Sequence, residues 1–181
     1  MFGLIFVDAL CLAICLIAAV IDVRSYRIPN WLTGWGALAL LVAQLAFAAL
    51  QGGGAGLVLA AGHSGLGLLV GGGLFAMLAA LRFIGWGDVK LMATVGVGLG
   101  FPLIVLALVY VCLTGGIVAL SISLWRGQLS HVFRNIYARG RQLVKQSKGQ
   151  IEMHRIPYGL AILLGTAWAV LSRYFPQLRL P

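Results

Sequence analysis

Two aspartates have the residue type and the setting to do chemistry together. Asp22 lies in Ile21-Asp22-Val23-Arg24-Ser25-Tyr26-Arg27-Ile28-Pro29-Asn30 and Asp88 in Gly85-Trp86-Gly87-Asp88-Val89-Lys90. Each is a polar break beside a long apolar run, in a chain of 181 residues with only 4 acidic side chains. A carboxylate at the edge of a hydrocarbon layer is costly to keep and marks a functional site by default. Two carboxylates brought close together cannot both ionise, so they share one proton. The ionised member takes a proton from water while the protonated one polarises a carbonyl, which is amide hydrolysis without a metal.

Taken singly, the acids carry less. An Asp just outside an apolar helix is ordinarily a solvated cap, and that reading suits Asp22 alone. Asp88 weighs more because Gly85 and Gly87 leave bare backbone on both sides of Trp86, open to an extended substrate strand. Helix polarity favours charge on Asp88, which begins a helix, over Asp22, which ends one, by ~0.3–2 kcal/mol. That assigns Asp88 as base and Asp22 as acid, with Arg24 pulling the other way. Asp8, toward the other surface, is expected to lack a partner and a role. Lys90 is read as orienting a carboxylate, binding a substrate group or snorkelling to the membrane edge. His63, His131 and His154 fall on loops without ligand partners.

The elements that position these residues follow from composition. The chain is 61% hydrophobic and 9% charged, with mean hydropathy +1.02, against about 25% charged residues in soluble domains. Repeated apolar runs of about 20 residues predict an all-α, polytopic membrane protein. Six transmembrane helices are expected at about 4–21, 31–50, 65–84, 89–100, 103–125 and 157–175, as one domain over 1–181. The glycine-rich stretch 51–64 reads as an exposed loop. The fourth segment is short, and Phe101-Pro102 predicts a tight reversal after it. Cys11, Cys15 and Cys112 fall inside apolar runs with no CxxC or zinc spacing, so neither metal nor disulfide framework is expected. No cofactor is expected either.

The net charge of +9 reads as topology rather than nucleic-acid binding. Arg24 and Arg27, then Arg82 and Lys90, then Arg126, Arg134, Arg139, Arg141, Lys145, Lys148 and Arg155 occupy alternate connections. Those connections are therefore cytoplasmic, and both termini lie outside. Arg173 and Arg179 break the pattern. Asp22 and Asp88 then sit at the same, cytoplasmic, membrane face. The basic loop 126–156 interleaves Val132, Phe133, Ile136, Tyr137, Leu143 and Val144 with its charges. It reads as an amphipathic helix on anionic lipid.

Three segments in order resemble the type IV prepilin peptidases. These are Asp22-Val-Arg-Ser-Tyr-Arg-Ile-Pro-Asn-Trp-Leu-Thr33, Gly85-Trp-Gly-Asp-Val-Lys-Leu-Met92 as a GxGD segment, and Arg155-Ile-Pro-Tyr-Gly-Leu-Ala-Ile162 as the proline-glycine segment opening the last helix. The resemblance implies a GxGD-type aspartic endopeptidase bundle with Asp22 and Asp88 as the catalytic pair. Gly85, Gly87, Lys90, Pro157 and Gly159 would support them. It implies removal of the basic leader from prepilin-like precursors, after a glycine, at the cytoplasmic face of the inner membrane. Bifunctional members insert a cytoplasmic domain between the first two spans, often with paired CxxC motifs. Only about 9 residues join those spans here, so N-methyltransferase activity is not expected. The compact form most resembles the small peptidases of Flp/Tad-type pilus systems, and archaeal preflagellin peptidases share the fold. The rival readings are an ion-coupled transporter, in which buried acids carry protons, and a non-catalytic pilus or secretion assembly protein.

Overall fold

A computed structural model describes residues 2–81, 83–125, 158–175 and 177. The expectations for Arg82, the basic loop 126–156, Pro157 and Arg179 lie outside the described residues. Five helices account for nearly all the rest: α1 (Phe2–Ser25), α2 (Asn30–Ala80), α3 (Trp86–Leu99), α4 (Leu103–Trp125) and α5 (Gly159–Tyr174). The described residues contain no strand. Among the described residues three stretches are long and apolar enough to cross a membrane: Phe2–Ser25, Asn30–Ala80 and Leu103–Ser121.

The glycine-rich stretch expected as a loop is helical. α2 runs through it for 51 residues, broken only at Gly53, whose φ of 55° and ψ of −143° suit glycine alone. A straight helix of that length would reach about 77 Å. Instead it folds back, because Ser64 donates to Gln44 Oε1 at 3.1 Å although the two are 20 residues apart. The reason is solvent. In lipid an open loop leaves peptide groups unbonded, so even a glycine-rich stretch stays helical and gives up one residue to the turn. The two arms of α2 with the other four helices make six rods among the described residues.

α3 is the centre of the bundle and touches all four other helices. Leu91, Met92 and Val95 along it are fully buried, packed with Leu40, Phe75, Ile104 and Ile162. The second arm of α2 lies on α3 backbone against backbone. A Cβ on Gly67 would run into the carbonyl oxygen of Gly96, and the reverse. Small residues allow that approach, which replaces the missing hydrophobic drive between helices in lipid.

The shortness of α3 is resolved inside the protein. Gln44 Nε2 donates to the carbonyls of Val97 and Gly98 at 2.6 and 2.7 Å. Gly100, at φ 67°, closes the helix onto Gly96 O. The next residue, Phe101, donates its N–H to His63 O at 3.0 Å, while the His63 ring bonds to Phe101 O. These partners satisfy the carbonyls that a helix end leaves free, so α3 can stop within the bundle. His63 is thus a helical residue tied to the α3–α4 turn.

Asp8 also departs from expectation. It is 2% exposed and accepts two hydrogen bonds from Arg173 Nη1, both 2.9 Å. It accepts a third from the Tyr174 hydroxyl at 2.8 Å. Arg173, a basic residue on the predicted outer side, is there to neutralise Asp8. A buried charge persists only when paired and hydrogen-bonded.

Candidate active site

Asp22 lies in the last turn of α1, buried at 7% exposure. The helix ends just beyond it because Tyr26 takes a left-handed conformation, φ 50°, and donates its N–H to Asp22 O at 2.8 Å. This is a C-cap geometry usually given to glycine or asparagine. Four residues later α2 begins at Asn30, so the chain reverses close to the carboxylate.

The Asp22 side chain is held from another helix. Its Oδ2 accepts the backbone N–H of Gly159 at 2.9 Å. That N–H is one of the free donors at the start of α5, where partial positive charge favours an anion. A Cβ on Gly159 would come within 3.1 Å of the Asp22 Cβ and Oδ2 and 3.2 Å of Ala19 Cα. Glycine is what lets the end of α5 approach so closely.

Asp88 sits in the first turn of α3, ahead of the apolar run that follows it. Its Oδ2 accepts the N–H of Gly85 at 3.2 Å, and its own N–H donates to Gly85 O at 3.1 Å. Asp88 is half-buried. Burial, and then the nearby charge of Asp22, push its carboxyl up from 3.8 to about 6, against the smaller pull of the Gly85 N–H. The helix-start argument favoured charge on Asp88. Burial and the neighbouring acid outweigh it.

Both aspartates open into one cavity of about 900 Å³, lined also by Tyr26, Asn30, Trp86 and Tyr158 among others. Gly85 and Gly87 line it as well. Lys90 Nζ donates to Asn30 Oδ1 at 2.8 Å, fastening the start of α2 to α3. Of the residues singled out in sequence, Asp22, Asp88, Gly85, Gly87 and Gly159 come together. Lys90 stands at one remove, through Asn30. Tyr26, Asn30 and Tyr158 were not singled out, though each lies inside a quoted motif. Among the described residues no cluster of three or more His, Cys, Asp or Glu could hold a metal ion.

A family model described as the type IV leader peptidase family matches residues 9–120. The chain belongs to that family. The matched stretch contains both Asp22 and Asp88 and ends before the helix that supplies Gly159. No curated protein matches the chain, and no solved structure does. Membership brings peptidase activity with it, and the apolar helices make this leader peptidase relative a membrane protein.

Proposed function

We propose that this protein is a membrane-embedded aspartic endopeptidase that removes the basic leader from prepilin-like precursors at the cytoplasmic face of the inner membrane. Asp22 and Asp88 are its catalytic pair. The observation that carries the reading is the shared cavity, in which the charge of Asp22 raises the proton affinity of Asp88. Two acids that divide one proton are the unit that attacks a peptide bond through water.

The difference between their surroundings divides the work. Asp22, steadied by the Gly159 N–H, is the carboxylate that takes a proton from water. Asp88 holds the proton and gives it to the carbonyl oxygen as the water oxygen bonds to carbon. As the tetrahedral gem-diol collapses, one hydroxyl returns its proton to Asp88, the C–N bond breaks, and the departing amine takes up the proton that Asp22 received. The scissile strand lies extended along Gly85-Trp86-Gly87, where bare backbone lets it come close.

The six rods are six transmembrane spans in this reading, with the aspartates at the end that faces the cytosol. The compact chain resembles the small peptidases of Flp/Tad-type pilus systems, and methyltransferase activity is not expected of it. Purified protein in lipid vesicles, incubated with a prepilin-like precursor, tests this directly. The reading expects a single cut after a glycine, identified by sequencing the new amino terminus. An uncut precursor, with proton flux across the vesicle instead, would support the transporter reading and overturn this one.

A further inference from the structure

We infer that Asp8 and Arg173 are positioning residues for the hydrolytic pair, acting from the far end of the helices that carry it. The inference rests on the reading of Asp22 and Asp88 as catalytic. Three elements supply the site: α1 brings Asp22, α5 brings the Gly159 N–H, and α3 brings Asp88. The same three are joined at their other ends by one guanidinium. Nη1 of Arg173 on α5 donates to both carboxylate oxygens of Asp8 on α1, and its Nη2 reaches Leu99 O, at the end of α3, at 3.4 Å.

The spacing makes this a register lock. Asp8 and Asp22 are 14 residues apart on α1, and Gly159 and Arg173 are 14 apart on α5. Fourteen residues are close to four turns, so each pair shares a helix face, about 40° apart and about 21 Å along the axis. α1 and α5 are antiparallel, so the rungs Asp22–Gly159 and Asp8–Arg173 close two rails of equal length. A slip of one residue, about 1.5 Å, breaks both rungs at once.

Stability alone does not account for the clasp. A buried ion pair is commonly no more stabilising than apolar side chains of the same volume, whereas its direction and charge select one arrangement. At the reacting end, a displacement of about 1 Å costs on the order of 100-fold in rate. The clasp holds that displacement down.

The test uses full-length protein in lipid vesicles with a prepilin-like precursor, and compares wild type with the double variant Asp8→Leu/Arg173→Met. The expected result is a thermal midpoint near wild type, KM within about twofold, kcat lower by about 10- to 100-fold, and a displaced pH at which kcat/KM falls. Wild-type kcat with an unmoved pH profile overturns the proposal. Should the double variant not fold, Arg173→Lys decides: it keeps the charge but loses the fork. Lower kcat at unchanged KM is then expected, and unchanged kcat overturns the proposal. Asp22→Asn and Asp88→Asn run alongside. If these still cut, it is the catalytic reading that fails; if they are dead while the clasp variants match wild type, it is the clasp.

Discussion

Gly159 gives its backbone N–H to Asp22 Oδ2 at 2.9 Å across 137 residues of chain. The bond joins the last turn of α1 to the first turn of α5, and so fixes one carboxylate against a helix that the sequence places far away. Asp88 arrives from a third helix and feels the charge of Asp22. The site is therefore a property of three helix ends, and perturbing any of them should be felt at the carboxylates.

Gly159→Ala tests the closest of these approaches. The added Cβ meets Asp22 and Ala19 at 3.1–3.2 Å, so α5 must draw back and the N–H must lengthen its bond. A loss of ~1–3 kcal/mol in stability is expected from the overpacking. Peptidase activity should fall at least ~10-fold, since the carboxylate loses its fixed position. Thermal unfolding in detergent and a cleavage assay read the two effects separately.

The pH dependence follows from Asp88. Its proton is half lost at about 6, and in the proposed mechanism the protonated form donates to the carbonyl. Accordingly kcat/KM, which reports the free enzyme, should decline as pH rises above about 6, approaching ~10-fold per unit. A profile flat from pH 5 to 8 would contradict that role for Asp88.

Stability should respond with the same sign. Asp88 binds its proton more tightly folded, at about 6, than at its ordinary 3.8. The contribution is thus fully present below 3.8 and is lost as pH rises through 6. Above that, the ionised group costs at most about 3 kcal/mol, reduced by solvent reaching the cavity. Asp88→Asn, inactive, should therefore unfold at a higher temperature than wild type at pH 7.5 and not at pH 3.5. Equal midpoints at pH 7.5 would count against a buried, charge-crowded Asp88.

Much of the architecture was legible because lipid leaves few choices. Apolar runs had to be helices, and the positions of Asp22 and Asp88 at helix ends follow from where the runs stop. The stretch 51–64 misled because glycine content was read as for water, where a glycine-rich segment loops out. In lipid the peptide groups need partners, and only Gly53 gives way. Asp8 was misread for a related reason. Its depth was judged along one helix, whereas its partner, Arg173, lies 165 residues on. A clue was present, since an unexplained acid and an arginine against the charge pattern stood at the same membrane level. The raised proton affinity of Asp88 was not legible, because it depends on burial and on a neighbour's charge, and both come from packing.

Gln44 is a residue with no motif to mark it and a specific load to bear. Gln44→Leu leaves the Val97 and Gly98 carbonyls and the Ser64 hydroxyl without it. Buried acceptors stripped of a donor cost ~1–3 kcal/mol each, so a destabilisation of ~2–6 kcal/mol is expected from the two carbonyls. Gln44→Glu cannot donate when ionised and should do no better. Chemical denaturation in mixed micelles measures both.

Whether Asp22 and Asp88 act as one hydrolytic unit is measured most directly by single-turnover cleavage of a prepilin-like precursor by isosteric variants. Asp22→Asn and Asp88→Asn, folded and inserted as wild type is, should each leave the precursor whole over a time in which wild type cuts it completely. Cleavage at the wild-type rate by either variant would contradict the account.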